Sequence, residues 1–384
     1  MRIDQLRSHV CALALLMAVA GINEVKAQVA ATDGRAPLTI EHRVAVRSTV
    51  PAIAGQQAEL YVRERVLEGT LGSTGEREVV LFVHGAGTPA EVAFDVPHST
   101  YSWMGYLALA GFDAFSVDMT GYGRSTRPPP MDDPCNLPEQ QQDGLIPAVL
   151  TERCAASYPY QLTTIESDWN DIDAVVEYIR ELRDVERVSM VAWSLGGPRA
   201  GGYAARNPDR VSRLVLLAPA YSRNRRTEPP GLPAAGTPVN VQDRTSFLAN
   251  WERQVGCPGQ YETEVGDAVW RDMLASDPVG ASWGAGHRRA PSTTTWGWGP
   301  VEVGGTSTPT LLVSPPHDRQ VPPERVRDLF DDLGASNKLL IDLACTSHNA
   351  MWETNHLLLF EASREWLASG TVRGQRSGTL RLGY

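Results

Sequence analysis

The chain has 384 residues, which is long enough to bury one large hydrophobic core or the cores of two domains. Its formal net charge of −10 argues against nucleic acid as a partner, because binding to a phosphate backbone depends on basic residues. Hydrophobic residues make up 42% of the chain, which is typical of a globular protein, and the sequence contains no internal repeats.

The N-terminus has the organisation of an export signal. Arg2 and Arg7 precede an apolar run over residues 10–22, and residues 25–27 fit a small-x-small cleavage site. The run is shorter than a membrane-spanning helix requires. We therefore predict a signal peptide over residues 1–27 and a mature protein in the periplasm or outside the cell, with no membrane anchor. An uncleaved anchor is the alternative.

Short apolar runs alternate with amphipathic patterns through most of the chain. Such alternation of strands and helices is typical of a mostly parallel sheet with helices on both faces. The predicted strands cover residues 38–47, 58–66, 78–83, 113–117, 188–192, 211–217, 309–313 and 338–343, and the first two are expected to be antiparallel. The predicted helices cover residues 99–110, 164–183, 198–206, 324–333 and 356–367.

Two stretches interrupt this alternation. Residues 126–160 are rich in Pro, Gln and acidic residues and carry two cysteines, which indicates a long surface excursion. Residues 218–305 are rich in Pro, Gly and Trp, and we predict that they form a cap insertion. The core is then formed by residues 28–217 and 306–370, and residues 371–384 are predicted to be a flexible tail.

Ser194 lies at the junction of a predicted strand and a predicted helix. Ala192 lies two positions before it and Gly196 two positions after it, and small residues suit a pinched strand-to-helix turn. This stretch resembles the nucleophile elbow of the α/β-hydrolase family, G-x-S-x-G, with alanine in place of the first glycine. A chance occurrence of small residues in a turn is the alternative.

Further motifs resemble the same family and occur in its order. Residues 84–87 read HGAG after a predicted strand, and residues 118–125 read DMTGYGRS, similar to the family's D-x-x-G-x-G-x-S turn. The resemblance covers residues 78–221 and 308–369. It implies an α/β-hydrolase fold with its active site at the carboxyl ends of the strands.

The resemblance also implies a catalytic triad in the chain order serine, acid, histidine. Ser194 is then the nucleophile, His348 the base, and Asp318 the acid that orients the base. Asp318 and His348 each follow a predicted strand by a few residues, whereas Asp342 lies within its strand. The alternative is that both are solvated residues of polar loops.

The family uses backbone N–H groups to stabilise the oxyanion that develops during hydrolysis. By resemblance these belong to Leu195, which follows the nucleophile, and to Ala86 in the HGAG loop. His84, Gly85 and Gly87 would support that loop, and His84 is not expected to act as a base. The resemblance implies no metal and no organic cofactor. A simple tight turn is the alternative for HGAG.

Four cysteines remain after the predicted signal cleavage: Cys135, Cys154, Cys257 and Cys345. An even number of cysteines in an oxidising compartment indicates disulfides, and four cysteines allow three pairings. Cys135 and Cys154 are close in sequence and form the simplest pair, which leaves Cys257 with Cys345 and would tie the cap to the histidine loop. Buried free thiols are the alternative, and the spacing does not indicate a zinc site.

These features predict an exported serine hydrolase that cleaves a carboxylic ester through an acyl-enzyme intermediate. The substrate is expected to be a small molecule with an apolar or aromatic group, because residues of the elbow and the cap line the approach to the serine. Packing in the cap's own core is the alternative role for its tryptophans. The candidate pocket residues are Trp193, Trp251, Trp270, Trp283, Trp296 and Trp298.

Other functions remain open at this point. Lactone, amide or C–C hydrolysis, or perhydrolysis without a cofactor, would use the same triad. A non-catalytic binding protein is disfavoured because such proteins commonly lose a triad residue, and a structural surface protein is disfavoured by the absence of repeats. Haloalkane dehalogenases and epoxide hydrolases of this family carry Asp where this chain has Ser194.

Mass spectrometry of the protein recovered from its native cell envelope tests the predicted export. We expect a chain that starts at Gln28, because cleavage follows the small-x-small site. Recovery of the full-length chain from the cytoplasm would contradict export and would also remove the compartment argument for disulfides.

Overall fold

The computed structural model describes residues 36–70 and 78–384, so the predicted signal peptide and its cleavage site lie outside the described residues. Within this part of the chain, nine strands form a central sheet and four short strands form two small sheets. The strands are β1 Leu38–Arg47, β2 Gln57–Val66, β3 Val79–Val83, β4 Asp113–Val117, β5 Thr163–Thr164, β6 Val188–Trp193, β7 Val211–Leu217, β8 Val239–Gln242, β9 Arg288–Pro291, β10 Thr293–Thr294, β11 Thr310–Ser314, β12 Lys338–Leu343 and β13 Gly378–Leu382.

Helices connect most of these strands. Among the described residues, none of the helices combines the length and the hydropathy that crossing a membrane requires. The α-helices are α1 Ala90–Phe94, α2 Trp103–Leu109, α3 Glu139–Asp143, α4 Ile165–Arg183, α5 Gly202–Arg206, α6 Arg244–Glu252, α7 Thr263–Ala275, α8 Pro278–Ala281, α9 Pro300–Gly304, α10 Pro323–Asp332 and α11 His356–Ser369.

The central sheet has the strand order β1-β2-β4-β3-β6-β7-β11-β12-β13. β2 is antiparallel to both of its neighbours, whereas all the other neighbouring strands are parallel. The predicted mostly parallel sheet with an antiparallel start is therefore confirmed. The parallel order brings the carboxyl ends of β3, β6, β11 and β12 to one edge of the sheet.

Side chains of β3 alternate between two hydrophobic clusters, one on each face of the sheet. Val80 and Phe82 pack in a cluster with residues of α1, α2 and α11. Val79, Leu81 and Val83 pack in a cluster with residues of α4, α5 and α10. A strand that is buried on both faces must be apolar throughout, which explains the sequence VVLFV and confirms helices on both faces.

The predicted cap, residues 218–305, contains α6 to α9 and the short strands β8, β9 and β10. β8 pairs with β9, and β10 pairs with β5 just before α4. Residues 126–160 pack against this segment and share a small apolar cluster with it. That cluster contains Met131, Leu137, Leu145, Leu162, Val239 and Trp283.

The prediction of a flexible tail over residues 371–384 is wrong, because residues 378–382 form β13 at the edge of the sheet. β13 is parallel to β12, and Leu382 lies opposite Leu343. Leu382 is 3% exposed and packs in the same cluster as α11. The alternation of Leu380 and Leu382 with polar residues is a strand signal, which outweighs the Gly and Arg content of the tail.

Substitution of Leu382 tests the packing of β13. We expect Leu382→Ala to lower the free energy of unfolding by about 2 kcal/mol, because it removes buried methylene groups and leaves a cavity. Leu182→Ala is the matched control, since Leu182 is 39% exposed near the end of α4. Urea denaturation measures both variants, and equal stability of the two would contradict a packed β13.

Candidate active site

Ser194 forms the turn that follows β6, and its backbone has a φ of 57°. A non-glycine residue in this left-handed region is strained, so surrounding contacts must hold it. The Ser194 N–H donates to the Leu217 carbonyl at 3.0 Å, and the Ser194 carbonyl accepts the N–H groups of Gly197 and Ala220 at 2.8 and 2.9 Å. The end of β7 and the residues after it therefore hold the turn in place.

The helix predicted over residues 198–206 begins as a π-helical turn, Gly197–Gly201, and becomes regular only in α5. In an α-helix, residue 198 would donate its N–H to the Ser194 carbonyl. Pro198 has no N–H, so that carbonyl bonds to Gly197 and Ala220 instead, and the first turn widens.

Two glycines allow neighbouring segments to approach Ser194. A methyl group on Gly196 would lie 2.4 Å from the Val83 carbonyl oxygen, and one on Gly85 would lie 2.9 Å from the Ser194 Cβ. Both contacts are shorter than packed atoms permit. The Ala192 methyl lies 3.2 Å from the place that a methyl group on Gly196 would occupy. Alanine therefore fits at the first position of the motif because Gly196 carries no side chain.

The residues predicted to form the oxyanion hole are accessible. Ala86 is exposed, and Ser194 and Leu195 are half-buried, whereas the other residues of the HGAG loop are buried. Within residues 36–70 and 78–384, the N–H groups of Ala86 and Leu195 have no hydrogen-bond acceptor. Backbone N–H groups are normally paired, so two unpaired donors on accessible residues are suited to bind a ligand oxygen.

The structure brings the predicted acid and base together. His348 Nδ1 lies 2.7 Å from Asp318 Oδ2, and both side chains are buried. The other carboxylate oxygen, Asp318 Oδ1, accepts the N–H groups of Gln320 and Val321 at 2.8 Å each, which fixes the carboxylate. His348 Nε2 has no partner among the described residues, so this nitrogen is free to exchange a proton.

Asp342, the weaker candidate acid, is engaged elsewhere. Its Oδ1 accepts a hydrogen bond from the Tyr384 hydroxyl at 2.8 Å, beyond the end of β13. The position of Asp342 within β12 therefore directs its carboxylate to the edge of the sheet rather than to His348.

Trp193 connects the serine turn to the histidine loop. Its Nε1 donates to the His348 carbonyl at 2.7 Å, and the two rings lie 5.3 Å apart between centroids. Because Trp193 directly precedes Ser194, this bond fixes His348 relative to the turn. Trp193 was a candidate for the substrate pocket, but the contacts of its indole are made within the protein.

The five cap tryptophans are also buried, and their contacts are those of packed side chains. Trp251 stacks on Tyr261 at 4.5 Å, Trp270 lies 5.7 Å from Phe247, and Trp298 lies against Gly201. Trp283 belongs to the cluster shared with residues 126–160, and Trp296 borders a surface depression beside α4. Their role in binding substrate stays a prediction.

Arg199 is a buried cation in the π-helical turn whose role the sequence did not reveal. Its Nε donates to Asp168 Oδ2 on α4 at 2.7 Å. Its Nη1 donates to the carbonyls of His84 and Gly85 at 3.0 Å each. One guanidinium therefore joins the HGAG loop to the segment after Ser194 and to α4.

His84 supports the HGAG loop through both ring nitrogens. Nε2 accepts the N–H of Met119 at 3.2 Å, so Nδ1 carries the proton and donates to the Gly85 carbonyl at 2.7 Å. Burial and the adjacent Arg199 guanidinium hold the pKa of His84 well below its usual value. A neutral ring with both nitrogens engaged has no free position for a base.

The structure pairs the four cysteines as Cys135–Cys154 and Cys257–Cys345. The Cα atoms lie 5.2 and 5.7 Å apart, which fits the separation of about 4.4–6.8 Å that a disulfide requires. The second pair attaches the cap to the loop three residues before His348. Formation of both bonds in the cell depends on export, which stays a prediction.

Glu353 attaches the cap to the same loop and was not predicted from the sequence. Its Oε1 accepts Trp251 Nε1 and Gln260 Nε2 at 2.9 Å each, and both of these donors belong to the cap. Its Oε2 accepts the N–H of Ser347, the residue before His348, at 2.6 Å. Burial raises the pKa of Glu353, and these donors oppose that effect.

Comparison with known proteins identifies the family of the chain. The family model described as alpha/beta hydrolase fold matches residues 78–354, which is most of the chain. The protein therefore belongs to the α/β-hydrolase fold family. No curated protein matches the sequence.

Solved structures show the same fold at low sequence identity. A serine hydrolase involved in carbazole degradation, the CarC enzyme, has a TM-score of 0.52 and 15% identity, over 86% of this chain and 99% of that chain. A serine hydrolase from the polyaromatic hydrocarbon-degrading bacterium Cycloclasticus zankles has a TM-score of 0.50 and 13% identity, over 86% of this chain and 98% of that chain. A bacterial membrane phospholipase A has a TM-score of 0.50 and 16% identity, over 86% of this chain and 87% of that chain.

Asp171 provides a pH-dependent test of the support around the site. Asp171 lies on α4, and its Oδ2 accepts the N–H of Thr120 in the D-x-x-G-x-G-x-S turn at 2.9 Å. Burial raises the pKa of Asp171 to about 7 from an ordinary value of 3.8. Between these values the folded protein keeps a proton that the unfolded chain has lost, so stability falls as pH rises through this window.

We expect Asp171→Asn to flatten this dependence, because the amide oxygen still accepts the Thr120 N–H and does not titrate. Asp209→Asn is the control, since Asp209 is exposed. Urea denaturation at several pH values between about 4 and 7 gives, for each protein, the slope of the free energy of unfolding against pH. A slope for Asp171→Asn equal to that of the wild type and the control would contradict the raised pKa.

Proposed function

We propose that this protein is an exported serine hydrolase that cleaves a carboxylic ester of a small molecule through an acyl-enzyme intermediate. The observation that carries the proposal is the 2.7 Å contact between His348 Nδ1 and Asp318 Oδ2, which leaves Nε2 free. Trp193 holds the loop of that histidine to the strained turn of Ser194. Membership of the α/β-hydrolase fold family supports hydrolysis as the reaction class.

In the first step the Ser194 hydroxyl attacks the ester carbonyl carbon, and His348 Nε2 takes the hydroxyl proton. Asp318 stabilises the imidazolium that forms and holds its ring in one orientation. The carbonyl oxygen becomes an oxyanion, which the N–H groups of Ala86 and Leu195 stabilise. Removal of one such donor typically costs about 3–4 kcal/mol of transition-state stabilisation.

The tetrahedral intermediate then collapses, and the leaving alcohol takes the proton from His348. The acyl group remains bonded to Ser194 Oγ. Water attacks this acyl-enzyme with His348 as the base, and a second collapse releases the carboxylic acid and restores the serine hydroxyl.

Export is supported by the two cysteine pairs. Disulfides persist in oxidising compartments, and the Cys257–Cys345 pair joins the cap to the loop that carries His348. A protein that depends on such a bond for the position of its base would function outside the cytoplasm.

Substitution of Ser194 tests the proposed nucleophile. We expect Ser194→Ala to lower ester turnover by at least about 10³-fold and to abolish labelling by a fluorophosphonate, because loss of the nucleophile removes the covalent step. Ser377→Ala is the control, since Ser377 is exposed and distant from the motifs in sequence. The assay uses a panel of esters, lactones and amides together with the melting temperature of each variant.

Near-normal turnover by a folded Ser194→Ala protein would contradict the assignment. If the fluorophosphonate labels Ser194 but only lactones or amides are hydrolysed, Ser194 is still the nucleophile and the proposed ester hydrolysis is wrong. A wild-type protein that neither reacts with the fluorophosphonate nor hydrolyses any member of the panel would favour a binding protein.

A further inference from the structure

A guanidinium from the cap lies directly against the HGAG loop. Arg288 is the first residue of β9, and a methyl group on Gly87 would lie 2.7 Å from each of its Cζ, Nη1 and Nη2 atoms. Equal distances to these three atoms mean that the guanidinium presents its flat face to Gly87. Because Gly87 follows Ala86, a positive charge lies one residue from a proposed oxyanion donor.

Arg288 has no acidic partner of its own among the described residues. Its Nε and Nη2 donate to Gln242 Oε1 at 3.1 and 2.7 Å, and this acceptor is a neutral amide. The next residue, Arg289, is paired with Asp132 and Asp277 at 2.6 and 2.7 Å. Asp132 and Asp277 therefore neutralise Arg289, whereas Arg288 has no carboxylate within ion-pair distance among the described residues.

The guanidinium of Arg288 is partly withdrawn from solvent. Arg288 is half-buried, and its Nη1 has no hydrogen-bond acceptor among the described residues. The surrounding protein lowers the pKa of Arg288 to about 10 through desolvation, so the group is still cationic at neutral pH. Partial removal of a cation from water without a directly paired carboxylate costs free energy, and such costs are concentrated at binding sites.

We propose that Arg288 binds a carboxylate on the acyl part of the substrate, so that the preferred substrates are half-esters of dicarboxylic acids. This inference rests on the proposed ester hydrolysis at Ser194. The oxyanion loop holds the carbonyl of the acyl group during both acylation and deacylation, so a charge beside that loop stays close to the acyl part. A guanidinium matches the two oxygens of a carboxylate, and Gln242 fixes its orientation.

Matched pairs of esters separate charge recognition from general binding. Monobenzyl malonate, succinate and glutarate are each compared with the benzyl ester in which a carboxamide replaces the free carboxylate. We expect the wild-type protein to have a higher kcat/KM for the carboxylate member of at least one pair. In that pair, Arg288→Met should lower the ratio of carboxylate to carboxamide kcat/KM by about 10–100-fold, because it removes a charged hydrogen bond.

Arg244→Met is the matched control. It removes the same charge from an exposed arginine of the cap, which pairs with Asp267 on the surface, and should leave the ratio unchanged. Arg288→Lys keeps the charge without the planar fork and should retain part of the preference, which provides a second variant if Arg288→Met does not fold. An unchanged ratio in both folded Arg288 variants, or an equal drop in Arg244→Met, would overturn the inference.

A binding measurement keeps this result separate from the proposed reaction. Calorimetric titration of the Ser194→Ala protein with each of the three half-esters should give, for at least one of them, at least a 10-fold lower affinity when Arg288→Met is added. Equal affinity of the two proteins would overturn the carboxylate site. Failure of the fluorophosphonate reaction and of all ester turnover, with the affinity difference intact, would overturn the proposed reaction alone.

Discussion

The left-handed backbone of Ser194 is the constraint on which the surrounding arrangement depends. A strand can change into a helix within two residues only if the neighbouring segments leave room, and Gly85 and Gly196 provide that room. Before this turn, Trp193 donates a hydrogen bond to the His348 carbonyl. After it, Arg199 donates to the carbonyls of His84 and Gly85 in the HGAG loop. The strained turn is thus bonded to both of the loops with which a serine nucleophile would have to cooperate.

The cap contributes to the position of the other two triad candidates. Cys257 joins the loop before His348, and the Glu353 carboxylate joins Ser347 to Trp251 and Gln260. Gln254 Oε1 accepts the N–H of Arg319, the residue after Asp318, at 3.1 Å.

Residues 251–260 of the cap therefore contact both the acid loop and the base loop. The cap thus has two roles, since β9 carries the cation that faces the HGAG loop while residues 251–260 position the acid and the base.

Much of the fold was predictable because its signals are local. The buried strands are short apolar runs, and α4 has both apolar periodicity and a capping box formed by Thr164 and Ser167. The motifs around Ser194 and the HGAG loop were predictable because a tight turn permits few residue types. The edge strand β13 was missed, since its Gly and Arg content resembles a loose tail when its pairing with β12 is unknown.

The polar contacts of the site were not predictable, because they join residues that are distant in sequence. Arg199 is one of many arginines in the chain, and only the fold places it between Asp168 and the HGAG loop. Glu353 and Arg288 are similar cases, since their importance depends on which partners they have or lack. The tryptophans of the cap were a conspicuous signal in composition, and the structure buries them in packed clusters.

Trapping the acyl-enzyme and locating its acyl group tests directly whether Ser194 is the nucleophile. The mature protein is mixed with an ester that it hydrolyses, quenched in acid within the first turnover, digested with trypsin and analysed by mass spectrometry. We expect an added acyl mass on the tryptic peptide of residues 188–199, with fragmentation placing it on Ser194 rather than on Ser189. An acyl group on any other residue, or a burst of one equivalent of alcohol with no acylated peptide, would contradict the acyl-enzyme route through Ser194.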